Sequence, residues 1–337
     1  MPESPRELEV RAFGGIEYRN LCWPVSRIAS GAEQALRLDP GSAPGEHPPA
    51  STHGEHPRRV APRPKSLRRP SGVPGTWHLA PSAYGVANMC DGIFSITGKS
   101  ILLAGAGGGL GGTLARALSA RGARLTLSDM SAAPIVGLAR DLGEGVVARA
   151  ADITAEEEVD ALIAHACQQF GRIDALVNAA GMLRISPALK LDVATFREAL
   201  EVNLTGAFLL SRAAARAMPA GGRIVHLASV SSVVANPDYA AYAAPKAALS
   251  QLVRVLAREW AARNITVNAI GPAMAQTGMT EGYLANPAFR QQALAAIPLG
   301  RFATPEDLIG ALILLLSPAG AFITGQTIHV DGGRTLV

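Results

Sequence analysis

The order of apolar and polar stretches predicts an α/β fold: a doubly wound parallel sheet of about seven strands with helices on both faces. Two observations predict it. From Ile93 to the end of the 337-residue chain, short apolar runs alternate with longer amphipathic stretches, the pattern of strand–helix–strand units. The first of those runs breaks into a glycine-rich turn that leads straight into a helix-like stretch.

The elements follow in order. Seven runs read as strands: residues 100–105 (SILLAG), 124–129 (RLTLSD), 146–152 (VVARAAD), 175–181 (ALVNAAG), 223–229 (RIVHLAS), 265–271 (ITVNAIG) and 326–330 (QTIHV). Each is short, apolar and bounded by polar or turn residues. Between them, residues 110–122, 155–171, 195–218, 242–264 and 305–317 carry helical periodicity. The longest apolar stretch, Leu308 to Ser317, falls short of the roughly 18 residues a membrane span requires, so it reads as a packed helix and no membrane association is expected. No internal repeat stands out.

Composition bounds the rest. Hydrophobic residues make up 48 % and charged residues 17 %, as a well-buried core requires. Cys22, Cys90 and Cys167 have no metal-ligand spacing and make no disulfide framework, so a reducing cytoplasm is expected and no metal site. A net charge of +4 is too small to argue for nucleic acid as a partner.

The chain changes character near residue 90. Of its 23 prolines, 13 lie in the first 90 residues, and apolar periodicity is missing from Asp39 to Pro81. Such a segment buries too little apolar surface to offset its ordering entropy, so residues 1–90 are expected to be a disordered extension and residues 91–337 the folded catalytic domain. The Arg-rich run from His56 to Pro70 reads as a solvated linker rather than a phosphate-binding arm. Glu3, Glu7, Glu9 and Glu17 argue against a targeting peptide, and a natural start at Met89 stays open.

The chemistry concentrates in four residues. Tyr242 and Lys246 are four apart and share a helix face. Ser229 closes the strand run RIVHLAS thirteen residues before the tyrosine, and Asn203 stands upstream in NLTG. A phenol, a hydroxyl and an ammonium around one carbonyl or alcohol suit proton transfer while a hydride moves elsewhere. A free tyrosine titrates near pH 10, so the expectation is that the Lys246 ammonium lowers the Tyr242 pKa toward neutrality. Ser229 would hold the substrate oxygen. Asn203 would bind a water or a backbone group and relay protons. Taken alone, the Tyr–Lys spacing also fits an ordinary helix-surface pair.

The glycine turn GAGGGLGG supplies the second half of the argument. Gly105, Gly109 and Gly111 stand where a tight strand-to-helix turn lets a pyrophosphate approach the backbone and the helix N-terminus. Asp129 ends the second strand run, eighteen residues beyond Gly111. A carboxylate there can accept from a ribose 2′-hydroxyl and would repel a 2′-phosphate, which favours NAD over NADP.

With these motifs in order, the chain from Phe94 to Gly333 resembles the short-chain dehydrogenase/reductase family, whose fold is a Rossmann-type sheet. The family's glycine motif matches Gly105, Gly109 and Gly111, with Leu110 inside it. Its adenine-contacting aspartate matches Asp152, beside Ile153. Its N-N-A-G motif matches Asn178, Ala179, Ala180 and Gly181, and its catalytic set matches Asn203, Ser229, Tyr242 and Lys246. Its nicotinamide loop matches Pro272 and Thr277, and FITGQTIHVDGG resembles its C-terminal strand and tail. Three positions depart from the pattern: Ala104, Ala179 and Ala273 stand where the family usually has Thr, Asn and Gly. Gly108 stands where NADP-preferring members often carry a basic residue. Pro245, inside the Tyr–Lys spacing, requires the helix to begin near Tyr242.

The resemblance implies an NAD(P)-dependent enzyme that interconverts a secondary alcohol and a ketone, with Lys246 and Tyr242 also touching the nicotinamide ribose. Sugar-acid or polyol oxidation and 3-oxoacyl reduction are both open as substrate classes, and Arg184 is a candidate to receive a carboxylate or an acyl carrier phosphate that equally fits a surface near the subunit interface. The alternative is a nucleotide-sensing protein without turnover. The family also implies a homotetramer built on the helices around residues 203–218 and 242–263.

Overall fold

The structure, a computed structural model, describes residues 92–219 and 221–337. The extension read from residues 1–90, with Cys22 and Cys90, lies outside the described residues. Seven strands form one parallel sheet: β1 (Ser100–Ala104), β2 (Arg124–Ser128), β3 (Val146–Ala148), β4 (Ala175–Asn178), β5 (Gly222–Leu227), β6 (Ile265–Pro272) and β7 (Thr327–Val330). Their order is β3-β2-β1-β4-β5-β6-β7, and every pairing is parallel. All seven sequence-predicted strands are present. The third is shorter than expected, because the chain leaves the sheet after Ala148.

Side-chain alternation along each strand divides the core in two. Leu102, Leu176, Ile224 and Val267 face one side of the sheet. There they meet Leu162 of α3 (Glu156–Phe170), Leu210 of α5 (Gly206–Arg216) and Val253 of α6 (Ala240–Trp260). Ile101, Leu103, Val177 and Val225 face the other side. They pack on Leu114 of α1 (Gly109–Ser119), Ile135 of α2 (Ala132–Leu142) and Leu312 of α9 (Ile309–Leu316). Central strands covered on both faces must be apolar at successive positions, which is why β1 reads as a continuous run and all five of its residues are buried. No helix among the described residues is long and apolar enough to cross a membrane.

Three helices escape the periodicity reading. In α2, Pro134 and Gly137 mask the pattern, yet Pro134 falls in the first turn, where no intrahelical N–H is lost. α7 (Gly278–Leu284) is held by reciprocal bonds between Thr277 and Thr280. α8 (Pro287–Ala295) is capped by Asn286, whose side chain accepts from Ala288 and Phe289. The expected helix over residues 195–218 is three pieces: α4 (Val193–Leu200), a π-helical turn at Glu201–Thr205, and α5.

The sheet reverses its winding between β1 and β4. Ligand crevices in open α/β sheets form at that point, beyond the carboxyl ends of the strands. The glycine turn after β1, the segment after β4 and the residue after β2 all open onto it.

Candidate active site

Gly105 is left-handed (φ +79°), and a Cβ there would overlap the backbone of Ala179 and Ala180. A Cβ on Gly111 would overlap the Gly105 carbonyl. Glycine is therefore required for β1 to meet α1 and the end of β4 at such close range. A Cβ on Gly109 would lie 3.5 Å from Thr277 Cβ, so that glycine and Thr277 face each other across the cleft. The Gly107 N–H donates to Asp129 Oδ2 at 3.0 Å, which draws the carboxylate over the glycine turn. Residues 105–112 and 129–131 contain no Lys or Arg.

The other cofactor candidates border the same crevice. Asp152 Oδ1 accepts from the Thr154 N–H at 2.8 Å and the Thr154 hydroxyl at 2.7 Å. Ile153 is buried against Gly206, where a Cβ would stand 2.8 Å from its side chain. Asn178 Oδ1 accepts from the Ala180 N–H at 3.1 Å. Gly181 lies against two of the candidate catalytic residues, since a Cβ on it would lie 2.8 Å from Asn203 Oδ1 and 3.4 Å from Lys246 Nζ. Pro272 ends β6, and Thr277 caps α7. These positions fit a dinucleotide: backbone bare of side chains at a helix start, one acidic group at the second strand, and Leu110 and Thr277 lining a shared cavity.

Asn203 sits in the π-helical turn, 1 % exposed. Its Oδ1 accepts from the Met182 N–H at 3.2 Å, and its Nδ2 donates to the Met182 carbonyl at 3.0 Å. Of the two partners expected for it, a water or a backbone group, the structure shows the backbone. The π turn re-aims the side chain at the segment after β4, a common use of such bulges.

Lys246 is 4 % exposed and donates from Nζ to the Leu227 carbonyl at 2.8 Å. Burial brings its pKa down to about 8. Its Nζ lies 5.7 Å from the centre of the Tyr242 ring. The expectation that Lys246 lowers the phenol's pKa is not met: Tyr242 is raised above its ordinary value. Burial is the larger cause, and the Ser229 hydroxyl opposes it. The ammonium points past the ring to a carbonyl, so desolvation of the phenolate dominates. The helix begins at Ala240, two residues before Tyr242, which places Pro245 in the second turn.

A cavity of about 300 Å³ opens between the glycine cleft and the C-terminal tail, and both Ser229 and Tyr242 line it. Its walls are largely apolar, with Leu183, Val230, Met274, Phe289 and Ile297 among them. The polar exceptions include Asn236, Tyr239 and Arg334. Tyr239 packs edge-on to Tyr242 with ring centres 6.3 Å apart. Burial, then the neighbouring tyrosines, pushes its pKa up to about 12, and the Arg334 charge acts in the opposite sense. Arg184 is exposed and lies outside this cavity.

Two features of the site gave no signal in the sequence. Arg334 donates to Asn236 Oδ1 at 2.9 Å across 98 positions of chain. His226 is fully buried on β5, with Nδ1 3.3 Å from Asn178 Nδ2 and Nε2 2.8 Å from Ser211 Oγ. The Ser211 hydroxyl donates to the Ala207 carbonyl at 2.6 Å. That bond fixes the direction of the chain: His226 donates from Nε2 and accepts from Asn178 at Nδ1. Burial drives its pKa down to about 3, so the ring is neutral.

Comparison with known proteins agrees with this architecture. A family model described as enoyl-(acyl carrier protein) reductase matches residues 105–335. The chain is 41 % identical over 249 residues to galactitol 2-dehydrogenase (L-tagatose-forming) of Cereibacter sphaeroides, covering 72 % of this chain and 98 % of that protein. It is 36 % identical over 249 residues to a 3-oxoacyl-[acyl-carrier-protein] reductase of Synechocystis, covering 72 % and 99 %. The crystal structure of a gluconate 5-dehydrogenase from Burkholderia cenocepacia, in complex with NADP and tartrate, superposes with a TM-score of 0.70 at 34 % identity, covering 73 % and 98 %. The chain belongs to the short-chain dehydrogenase/reductase family and is an oxidoreductase of CH–OH and ketone groups.

Proposed function

We propose that this protein is an NAD-preferring dehydrogenase of a small secondary alcohol, a polyol or sugar acid, with Tyr242 as its proton-transfer group. The observation that carries the reading is that one cavity is lined both by Ser229 and Tyr242 and by Leu110 and Thr277 of the cofactor cleft.

The dinucleotide, when bound, supplies the hydride acceptor or donor. Gly105, Gly109, Leu110 and Gly111 would hold its pyrophosphate, and Asp129 would accept from a ribose hydroxyl. Asp152 and Ile153 would contact the adenine. Asn178, Ala180 and Gly181 would contact the nicotinamide-side ribose, and Pro272 with Thr277 would hold the amide. Ser229 orients the substrate oxygen. Tyr242 donates its proton to a carbonyl in reduction and removes one from an alcohol in oxidation. Lys246, charged below about pH 8, holds the ribose and replenishes the proton. Asn203 fixes the backbone at Met182.

The preference for NAD rests on the Asp129 carboxylate and on the lack of Lys or Arg in residues 105–112 and 129–131. The NADP bound by the gluconate 5-dehydrogenase makes the comparison a real choice. The substrate class follows the galactitol dehydrogenase, the more similar of the two sequence relatives described. Residues 91–337 form the catalytic domain, which assembles as a tetramer through α5 and α6. Light scattering that finds a monomer would refute the assembly.

The test is nicotinamide absorbance with NAD and NADP across polyols, sugar acids and hydroxyacyl thioesters, with Tyr242→Phe as control. Tyr242-dependent turnover of a polyol or sugar acid with NAD supports the reading. Turnover of thioesters alone moves the substrate to the 3-oxoacyl class. Dinucleotide binding with no turnover on any of them supports a sensor instead.

A further inference from the structure

We infer that Ser231 is a specificity-determining residue that binds a second hydroxyl of the substrate, on the carbon next to the one that reacts. The natural substrate is then a vicinal diol, within a polyol or a hydroxylated sugar acid, and its product is an α-hydroxy ketone. The inference rests on the proposed function and narrows its substrate class.

Three serines stand close together just after β5, and the side chains of two of them have partners. Ser229 caps the short helical turn Val230–Ser232, and its Oγ accepts from the Ser231 N–H at 3.1 Å. The Ser232 hydroxyl donates to the Ser229 carbonyl at 2.7 Å. The Ser231 hydroxyl makes no hydrogen bond to the protein among the described residues, yet it is not sealed inside. Ser231 is 6 % exposed and lines the cavity that also holds Ser229 and Tyr242. A hydroxyl so deeply placed is expected to have a partner, and the space it borders is the cavity.

The bond from the Ser231 N–H to Ser229 Oγ makes the two side chains neighbours. Through ordinary covalent geometry it keeps the two serine oxygens within about 7 Å of each other. Two hydroxyls on adjacent carbons, each reaching its serine through a hydrogen bond of about 2.8 Å, bridge a gap of that size. With the reacting oxygen at Ser229 and Tyr242, the second hydroxyl falls to Ser231. A serine hydroxyl both donates and accepts, so it serves an alcohol in either sense.

A second group in the cavity favours the same chemistry. Asn236 lines it, and its Oδ1 accepts from Arg334 at 2.9 Å. That bond fixes the amide and leaves Nδ2, which has no partner among the described residues, as a donor for a further hydroxyl. The apolar walls suit the C–H faces of the carbon chain. A carrier-borne 3-oxoacyl group has a methylene on either side of its carbonyl and would leave Ser231 unmatched. A site built to hydrogen-bond a hydroxyl discriminates against the analogue that lacks it.

The test compares propane-1,2-diol, butane-2,3-diol and trans-cyclohexane-1,2-diol with propan-2-ol, butan-2-ol and cyclohexanol, each pair differing by one hydroxyl. Calorimetric binding to the NADH-loaded protein is read first, then turnover with NAD. At least one diol is expected to bind more tightly than its mono-alcohol and to react with the higher kcat/KM. Ser231→Ala keeps the N–H that holds Ser229 and removes only the hydroxyl. It should cut the diol's advantage in Kd and KM by about 3- to 10-fold. Wild-type protein that favours no diol over its mono-alcohol, or an advantage that survives Ser231→Ala in full, overturns the inference. An equal loss on both members of every pair also overturns it, since that marks a merely structural serine. Ser231-dependent diol binding without any turnover keeps the subsite and refutes the proposed dehydrogenase instead.

Discussion

Lys246 reaches from α6 to β5, where its Nζ donates to the Leu227 carbonyl at 2.8 Å. The bond links the helix that carries Tyr242 to the strand that runs into Ser229. It also orients the ammonium toward the backbone and leaves burial in control of the phenol. Tyr242 is therefore protonated at neutral pH. With Tyr242 as the proposed proton-transfer group, reduction would need the phenol and should be flat across pH 6–8. Oxidation would need the phenolate and should rise with pH through the alkaline range, by up to about tenfold per unit. Tyr242→Phe should lower both by at least about a hundredfold while NADH still binds. Rate profiles in both directions check this, and an oxidative rate that falls as pH rises from 7 to 9 contradicts it.

Asp129 is held to the glycine turn by the Gly107 N–H. Asp129→Ala removes the acceptor for a ribose hydroxyl and the charge that repels a 2′-phosphate. The kcat/KM for NAD should fall about tenfold, and that for NADP should rise. An unchanged ratio of the two values would place the discriminating group elsewhere.

Gly181 lies against both Asn203 and Lys246. Its alanine variant must displace Asn203, which is held by two bonds to Met182. We expect Gly181→Ala to fold, with a loss of activity of about ten- to a hundredfold, because small misplacements of a catalytic group are costly. Full activity would show that the Asn203 position is not limiting.

His226 stays neutral in the folded protein because its pKa is driven down to about 3 from 6.5. Between those values the unfolded chain binds the extra proton, so the His226 contribution to stability is complete above pH 6.5 and is lost as pH falls toward 3. His226→Asn removes that dependence. The wild-type protein should lose stability relative to the variant on lowering pH from 6 to 4, at a limiting slope of about 1.4 kcal/mol per unit. At neutral pH the variant should be the weaker by about 1–3 kcal/mol, having lost a buried partner for Ser211 or Asn178. Denaturant midpoints across pH measure both, and parallel curves would contradict the assignment.

The sequence by itself determined the sheet and named the candidate site residues. The central strands are covered on both faces, so burial forces apolar runs that are visible without coordinates, as in Ile101–Ala104 and Ile224–Leu227. The glycines at 105 and 111 were visible because close backbone contact admits no other residue. Tyr242 and Lys246 were visible because helical spacing puts them on one face. Tertiary structure decided what depends on residues far apart in the chain. Arg334 and Asn236 meet only after β7 pairs with β6 and brings the tail to the cavity. The π turn that aims Asn203 has no local signature, since its reason is the Met182 backbone 21 positions away. The Tyr242 pKa was misjudged for the same reason. Local spacing gives the nearness of a lysine, whereas burial, which dominates the shift, is a property of the whole fold.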